Sequence, residues 1–405
     1  MPHRTPHILL TALALLLACP PTPGLALERA PTPMHQLLQA PYQLEVTTLS
    51  VETKQGPHSG DSIWCRVRID RVLAGPGLKA GDETAVVSVR YNNPPGTTGA
   101  SGDWNIPAVG ERRRLFANST PSTLQPLPPN GWQPLTRAVH IDLPPTTARQ
   151  PAPPDLIADN ASLTTAYPHQ AELIVLTNPM SDAALANGSL GHVAAALTAR
   201  LPLVITGSAL LSLADPPTNT PTNTPAAPRT PPTTPTTATL RAQAGLADPT
   251  VPPAQPPAHF THLRILPPDP AAATHPILAG ITIPPEGLLV PITLPTLPPP
   301  LPTATVLLYA EPATTDKTAP SGSAASTRQP ILWVNATPRT TPRIPTAPAG
   351  VEPTPLPPQR IVATILPATP PPSDPASPTL RRLLQQSITW ALDLPPAPTT
   401  TSPTR

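Results

Sequence analysis

Proline occupies 72 of the 405 positions, more than three times the usual share of about 5%. Each proline fixes φ near −65° and removes an amide donor, so no helix interior or central strand can run through a proline-dense stretch. Ordered structure is thereby confined to the windows between such stretches, and each window can be read alone. Charged residues make up 12% of the chain and aromatic residues 3%, where ordinary domains carry about 25% charged residues. Few aromatics imply modest cores, because those side chains bury the most area. The net charge is +2 and the arginines are scattered, which excludes the basic field of a nucleic-acid binder. One basic run, Arg112, Arg113 and Arg114 in "GERRRLF", reads as a solvated strand with Arg113 on the opposite face from its neighbours.

Residues 1–26 read as a signal peptide. Arg4 supplies a basic start, and the apolar stretch from Ile8 to Ala18 is too short to cross roughly 30 Å of hydrocarbon as a helix. Two exits are open: cleavage after Ala26 in "GLALE", or lipidation of Cys19 in the lipobox-like "LLAC". Pro20, directly behind Cys19, speaks for the first. Both predict an exported protein (periplasmic, extracellular or held at the envelope) with no transmembrane helix in the mature chain. The other cysteine is Cys65, so no intrachain disulfide can form in the mature chain. In "SIWCRVRIDRVL", Ile63, Cys65, Val67 and Ile69 alternate with Trp64, Arg66, Arg68 and Asp70. That places Cys65 as a buried strand thiol.

From 43 to 143 the signal is β. "QLEVTTLSVET", "SIWCRVRIDRVL", "TAVVSVRY" and "ERRRLFAN" are strand-length and rich in Val, Ile and Thr or alternating, and turn clusters such as "AGPGLKAGDE" separate them. Short strands with glycine-rich turns and no helical pattern predict a small barrel or sandwich. The succession of "VLAG", "GDETAVVSV" and "GERRRLF" resembles secreted OB-like, netrin-module-type β-barrels. Trp104 and Trp132 lie in or beside loops, where they serve as a sugar-stacking platform or, the leading reading, pin their own loops to the barrel.

Residues 144–169 read as a linker, after which the pattern changes. "AELIVLTN" and "LPLVITGSALLSL" are nearly continuous apolar runs, with the Ala-rich "AALANGSLGHVAAALTAR" between them. Strand, helix, strand at this spacing is a βαβ unit with strands buried on both faces. "TATVLLYAE", "QPILWVN" and "QRIVATIL" continue the sheet, and "LRRLLQQSITWALDL" closes with Leu380, Leu383, Leu384, Ile388 and Ala391 on one helical face. Ser377 and Pro378 are placed to start that helix. The stretches 215–257, 312–328 and 338–358 read as disordered Pro/Thr insertions, and 395–405 as a disordered tail.

Four anchors give the second region a family likeness. They are His275-Pro276-Ile277 with Gly280 in "THPILAGI", Pro330 to Trp333, Arg360 to Leu366, and Ile388 to Ala391. In that order they resemble the ThuA-like (trehalose-utilisation-type) domain of the class I glutamine-amidotransferase-like superfamily, over residues 170–394. The resemblance implies a flavodoxin-like parallel sheet and an association with carbohydrate. It also implies a degenerate site, because Pro367-Ala368 stands where the family has Gly-His. A ligand pocket is expected at the carboxyl ends of the parallel strands, near Gly207, Ser208 and His275.

The chemistry of that site is sparse. Amidotransferases need an elbow cysteine, and this half of the chain has none. Ser208 stands at the elbow without a placed His–Asp pair, so it reads as a helix N-cap; His192 belongs to the preceding helix. His259, His262 and His275 with Asp269 lack the composition of a metal site. No glycine-rich phosphate loop is present. No catalytic residue, cofactor or metal is therefore assigned. The leading expectation is an exported, non-catalytic binding or scaffolding protein of the cell envelope. The alternative is a carbohydrate-active protein.

Overall fold

The computed structural model describes residues 30–55, 60–91, 102–103, 105–119, 123–142, 160–179, 191–214, 237–246, 262–291, 300–313, 328–340, 355–368 and 374–394. The expected signal peptide, Cys19, Trp104, His259 and the 395–405 tail lie outside these residues. The chain divides into two compact units: residues 1–32, 45–71 and 79–133 form one, and 33–44, 72–78 and 134–405 form the other.

The first unit is a β-barrel. Its strands are β1 (Tyr42–Gln55), β2 (Gly60–Ala74), β3 (Glu83–Tyr91), β4 (Arg112–Ser119), β5 (Leu124–Pro126) and β6 (Trp132–Gln133). Five of them close as β1-β2-β3-β5-β4-β1, and β6 adds to β4. β3 and β5 are parallel at Val86 and Leu124, whereas β2–β3 and β4–β5 are antiparallel. The alternation expected of β2 is present: Ile63, Cys65, Val67 and Ile69 are buried, and Arg66 and Arg68 are exposed. Burial pushes the Cys65 thiol up to about 11.

Trp132 is fully buried, with its indole nitrogen donating 2.9 Å to Ser88 Oγ. That is the pinning role, with no face left for a sugar. Gly131 before it makes the approach possible, since a Cβ there would meet the Leu127 nitrogen at 2.5 Å. The solvated-strand expectation fails for one residue: Arg114 is 1% exposed. Its guanidinium lies 5.5 Å from the Phe116 ring centroid, so stacking accompanies its burial.

The second unit holds a mixed sheet. Its strands are β7 (Arg137–Asp142), β8 (Leu163–Thr165), β9 (Leu173–Leu176), β10 (Leu203–Thr206), β11 (Leu263–Ile265), β12 (Leu288–Val290), β13 (Thr305–Pro312), β14 (Gln329–Thr340) and β15 (Pro355–Thr364). Among the described residues the order is β12-β11-β13-β14-β15-β10-β9-β7-β8. The run β15-β10-β9-β7-β8 is parallel throughout. β14 turns antiparallel against β15, and β13, β11 and β12 follow antiparallel in turn. "TVLLY" in β13 therefore lies beyond β14 and outside the parallel run expected of it.

Among the described residues the α-helices are α1 (Met34–Leu37), α2 (Gly191–Thr198), α3 (Gly207–Ala214), α4 (Thr237–Gln243), α5 (Pro270–Ala273) and α6 (Ser377–Ala391). The residues of β9 and β10 are all buried, as continuous apolar runs paired on both sides must be. On α6, Leu380, Leu383, Leu384, Ile388 and Ala391 are buried against the sheet, each large side chain contributing about 1.5–3 kcal/mol. Trp390 is only half-buried. Ser377 and Pro378 do start α6, and ahead of it Asp374 Oδ1 accepts from the Ala376 nitrogen at 2.9 Å.

Several boundaries differ from the sequence reading. β7 falls inside the expected barrel span of 43–143, yet it pairs in the second sheet with β8 and β9. β8 falls inside the expected linker of 144–169. α4 lies within the expected disordered stretch 215–257, where Leu240 and Ala244 are buried. The ends of β14 and β15 reach into 338–358, because prolines are tolerated where a bulge interrupts pairing; the register shifts between Thr337 and Arg339.

Candidate functional site

The parallel strands end side by side, and their last residues build one polar edge. Asp142 closes β7, Thr177 and Asn178 follow β9, and Gly207 and Ser208 follow β10. β8 lies on one side of β7, while β9 and β10 lie on the other. The strand order thus reverses at β7, the position where open α/β sheets leave a crevice.

Side chains stitch this reversal together. Thr177 Oγ1 donates to the Asp142 main-chain carbonyl, and Asn178 Nδ2 donates to the same oxygen at 3.2 Å. Ser208 Oγ donates 2.6 Å to the Thr177 carbonyl while its side chain stays exposed. Asp142 Oδ2 is enclosed and has no hydrogen-bond partner among the described residues. Gly207 has a φ of +42°, a conformation that favours glycine and turns the chain from strand into helix without a linking residue.

Two sequence expectations change. Ser208 is not an N-cap; its hydroxyl is spent on a neighbouring strand's carbonyl rather than on the amides of α3. His275 does not join Gly207 and Ser208. Its Nδ1 accepts from the Ile277 amide at 3.3 Å at the start of the 3-10 turn Pro276–Leu278. Its ring centroid lies 5.3 Å from that of Trp390, and the Arg360 guanidinium carbon stands 5.1 Å from the same Trp390 ring centroid. Arg360 directly precedes the Ile361–Leu203 pair that begins the β15–β10 register. His275 is therefore tied to the amino-terminal end of these strands, and Gly207 and Ser208 lie at the carboxyl end. Burial, with the Arg360 charge adding to it, lowers the His275 pKa. Gly280 does take the tight-turn conformation, with φ of +66°.

No cluster of metal-ligating side chains occurs among the described residues, and the His192 side chain lies outside them. No described helix is long and apolar enough to cross a membrane.

Asp142, Thr177 and Asn178 were not singled out by the sequence. Asp142 ends "RAVHID", a segment inside the 43–143 β region whose local pattern does not mark its pairing with β9. A usable signal existed: "HID" and "VLTN" both end apolar runs in a polar residue able to hydrogen-bond. Chemically the edge offers a carboxylate oxygen, a carboxamide and a hydroxyl, a set suited to ligand hydroxyl groups. Compared with known families and curated proteins, the chain matches no family model and no curated protein.

Proposed function

We propose that the chain is an exported, non-catalytic binding protein of the cell envelope whose mixed-sheet unit takes a hydroxyl-bearing ligand at the carboxyl ends of β7, β9 and β10. One observation carries this reading. Asp142 Oδ2 is enclosed without a partner among the described residues, and an unmet buried acceptor costs about 1–3 kcal/mol, more when charged. A ligand hydroxyl arriving there restores the missing bond, and Asn178 and Ser208 stand beside it. Carbohydrate is the ligand class that this set suits best.

The topology supports the same reading. Numbered along the chain, the parallel run β8-β7-β9-β10-β15 has the 2-1-3-4-5 order of flavodoxin-like sheets, which bind at the crossover between the first and third strands. A ThuA-like ancestry is consistent with that order, and the β1-β2-β3-β5-β4-β1 closure is consistent with an OB-like barrel. A carbohydrate-modifying activity would need a base on Ser208; its hydrogen bond to the Thr177 carbonyl favours holding over reacting.

Glycan-array binding of the purified protein, followed by calorimetry on any positive sugar, tests the proposal. Asp142→Asn should weaken binding about 10-fold, equivalent to about 1.4 kcal/mol, whereas Ser208→Ala should change it less than about two-fold. A protein that binds no glycan would refute the ligand class, and undiminished binding by Asp142→Asn would refute the site.

A further inference from the structure

At the amino-terminal end of the same strands lies a second, partly enclosed cleft of about 70 Å³. It is far smaller than the roughly 300–1,000 Å³ of a drug-sized pocket and suits a ligand of about five or six heavy atoms, since one water needs about 10–15 Å³ of such space. Leu38, Leu73, Leu392, Pro202, Pro357 and Pro358 give it mainly apolar walls.

Charged groups interrupt those walls. Arg137 pairs with Glu172 at 3.0 Å, and Arg360 pairs with Asp393 at 2.9 Å. These two ion pairs engage both carboxylates that line the cleft. The third lining guanidinium, Arg339, is 8% exposed. Its Nη2 donates to the Ala199 carbonyl at 3.0 Å and to the Leu38 carbonyl at 3.4 Å. No carboxylate lies within ion-pair distance of Arg339 among the described residues. Arg200 is a like-charged neighbour, and burial with that repulsion brings the Arg339 pKa down to about 10, which leaves it charged at neutral pH. Removing a full charge from water is costly unless a counter-charge meets it. The guanidinium fork is shaped to receive a carboxylate through two parallel hydrogen bonds.

We propose that this cleft binds a short-chain monocarboxylate, its carboxylate on Arg339 and its aliphatic end against the leucines and prolines. The site stands apart from the Asp142 edge and does not depend on it. The apolar walls select against inorganic oxyanions, which have no aliphatic end to bury.

Butyrate is the probe, with butyramide and inorganic phosphate as comparison arms at constant ionic strength, read by thermal shift and calorimetry on the full chain. Butyrate should raise Tm saturably; butyramide, lacking the charge, should not; and phosphate should bind at least about 10-fold more weakly. Arg339→Met, which keeps length and removes charge, should abolish the butyrate effect. Because that variant also loses two carbonyl contacts, Pro358→Asp gives an independent arm. Pro358 is exposed, so the added carboxylate spares the core and should repel butyrate, weakening it at least about five-fold. The proposal is overturned if butyrate does not saturate, if phosphate binds as tightly, or if Pro358→Asp leaves butyrate affinity unchanged.

Discussion

The indole nitrogen of Trp333, on β14, donates a 2.8 Å hydrogen bond to the carbonyl of Ala244, 89 residues earlier. Both residues are fully buried, and the carbonyl belongs to the turn that follows α4. Asn335 adds a second tie from the same strand to the Gln243 carbonyl at 3.1 Å. Trp333→Phe should keep most of the volume but leave the Ala244 carbonyl unmet, which costs about 1–3 kcal/mol. Urea denaturation measures the loss, and proteolysis should then cut first around 237–246. A loss below about 0.5 kcal/mol would mean that α4 is not held by this bond.

Arg137 and Glu172 form a buried ion pair, their side chains 6% and 2% exposed. Glu172 Oε1 also accepts from the Ala138 amide at 3.1 Å. Removing one partner strands the other charge, so Glu172→Gln or Arg137→Met should each cost about 3–5 kcal/mol. The double replacement should cost clearly less than the sum of the two. Additive losses in a double-mutant cycle would show that the two charges do not interact.

Cys65 should be chemically silent in the folded barrel. With its thiol pushed up to about 11, the thiolate is scarce at pH 8, and the thiolate is the reactive form. Peptide mass mapping after iodoacetamide treatment should find Cys65 unmodified in the native protein and modified in denaturant. Prompt native labelling would mean that the β2–β3 region opens readily.

His275 should make stability fall on acidification. Its folded pKa is below the ordinary 6.5 because of burial and then the Arg360 charge, so the unfolded chain takes up the proton first. The stabilisation is present above about pH 6.5 and declines as pH falls through and below that value. Asn in place of His275 keeps a cap acceptor for the Ile277 amide without titrating. Chemical denaturation between pH 7 and 5 should therefore show a shallower decline in His275→Asn than in the natural chain. A residual slope is expected from His35, whose pKa burial also lowers. Identical slopes would place the His275 ring in water.

What the sequence disclosed depended on whether a residue's signal was local. Cys65 and its neighbours betray β2 because two-residue alternation is written along one strand. α6 is legible for the same reason at helical spacing. Strand membership is different in kind. "RAVHID" carries no mark saying which sheet it joins, and Arg137 finds Glu172 35 residues on. α4 was hidden because threonine and proline flank "TATLRAQ", and it takes Trp333 to order it. Arg114 looked like its two neighbours, although the strand's partners bury it alone. The site suffered most: Asp142 and Asn178 meet only after β9 has crossed to the far side of β7 from β8.

Among the described residues the two outermost strands of the mixed sheet, β8 and β12, are three residues long apiece, and exposed Pro291 directly follows the latter. A passing extended chain finds only one or two free amides on such a border before the proline interrupts it, too few to template growth. The barrel closes on itself through the pairing of β1 with β4, so among the described residues only the two-residue β6 ends its strand order. A molecule this rich in β-structure is thereby expected to stay dispersed at high concentration instead of polymerising side to side into fibrils.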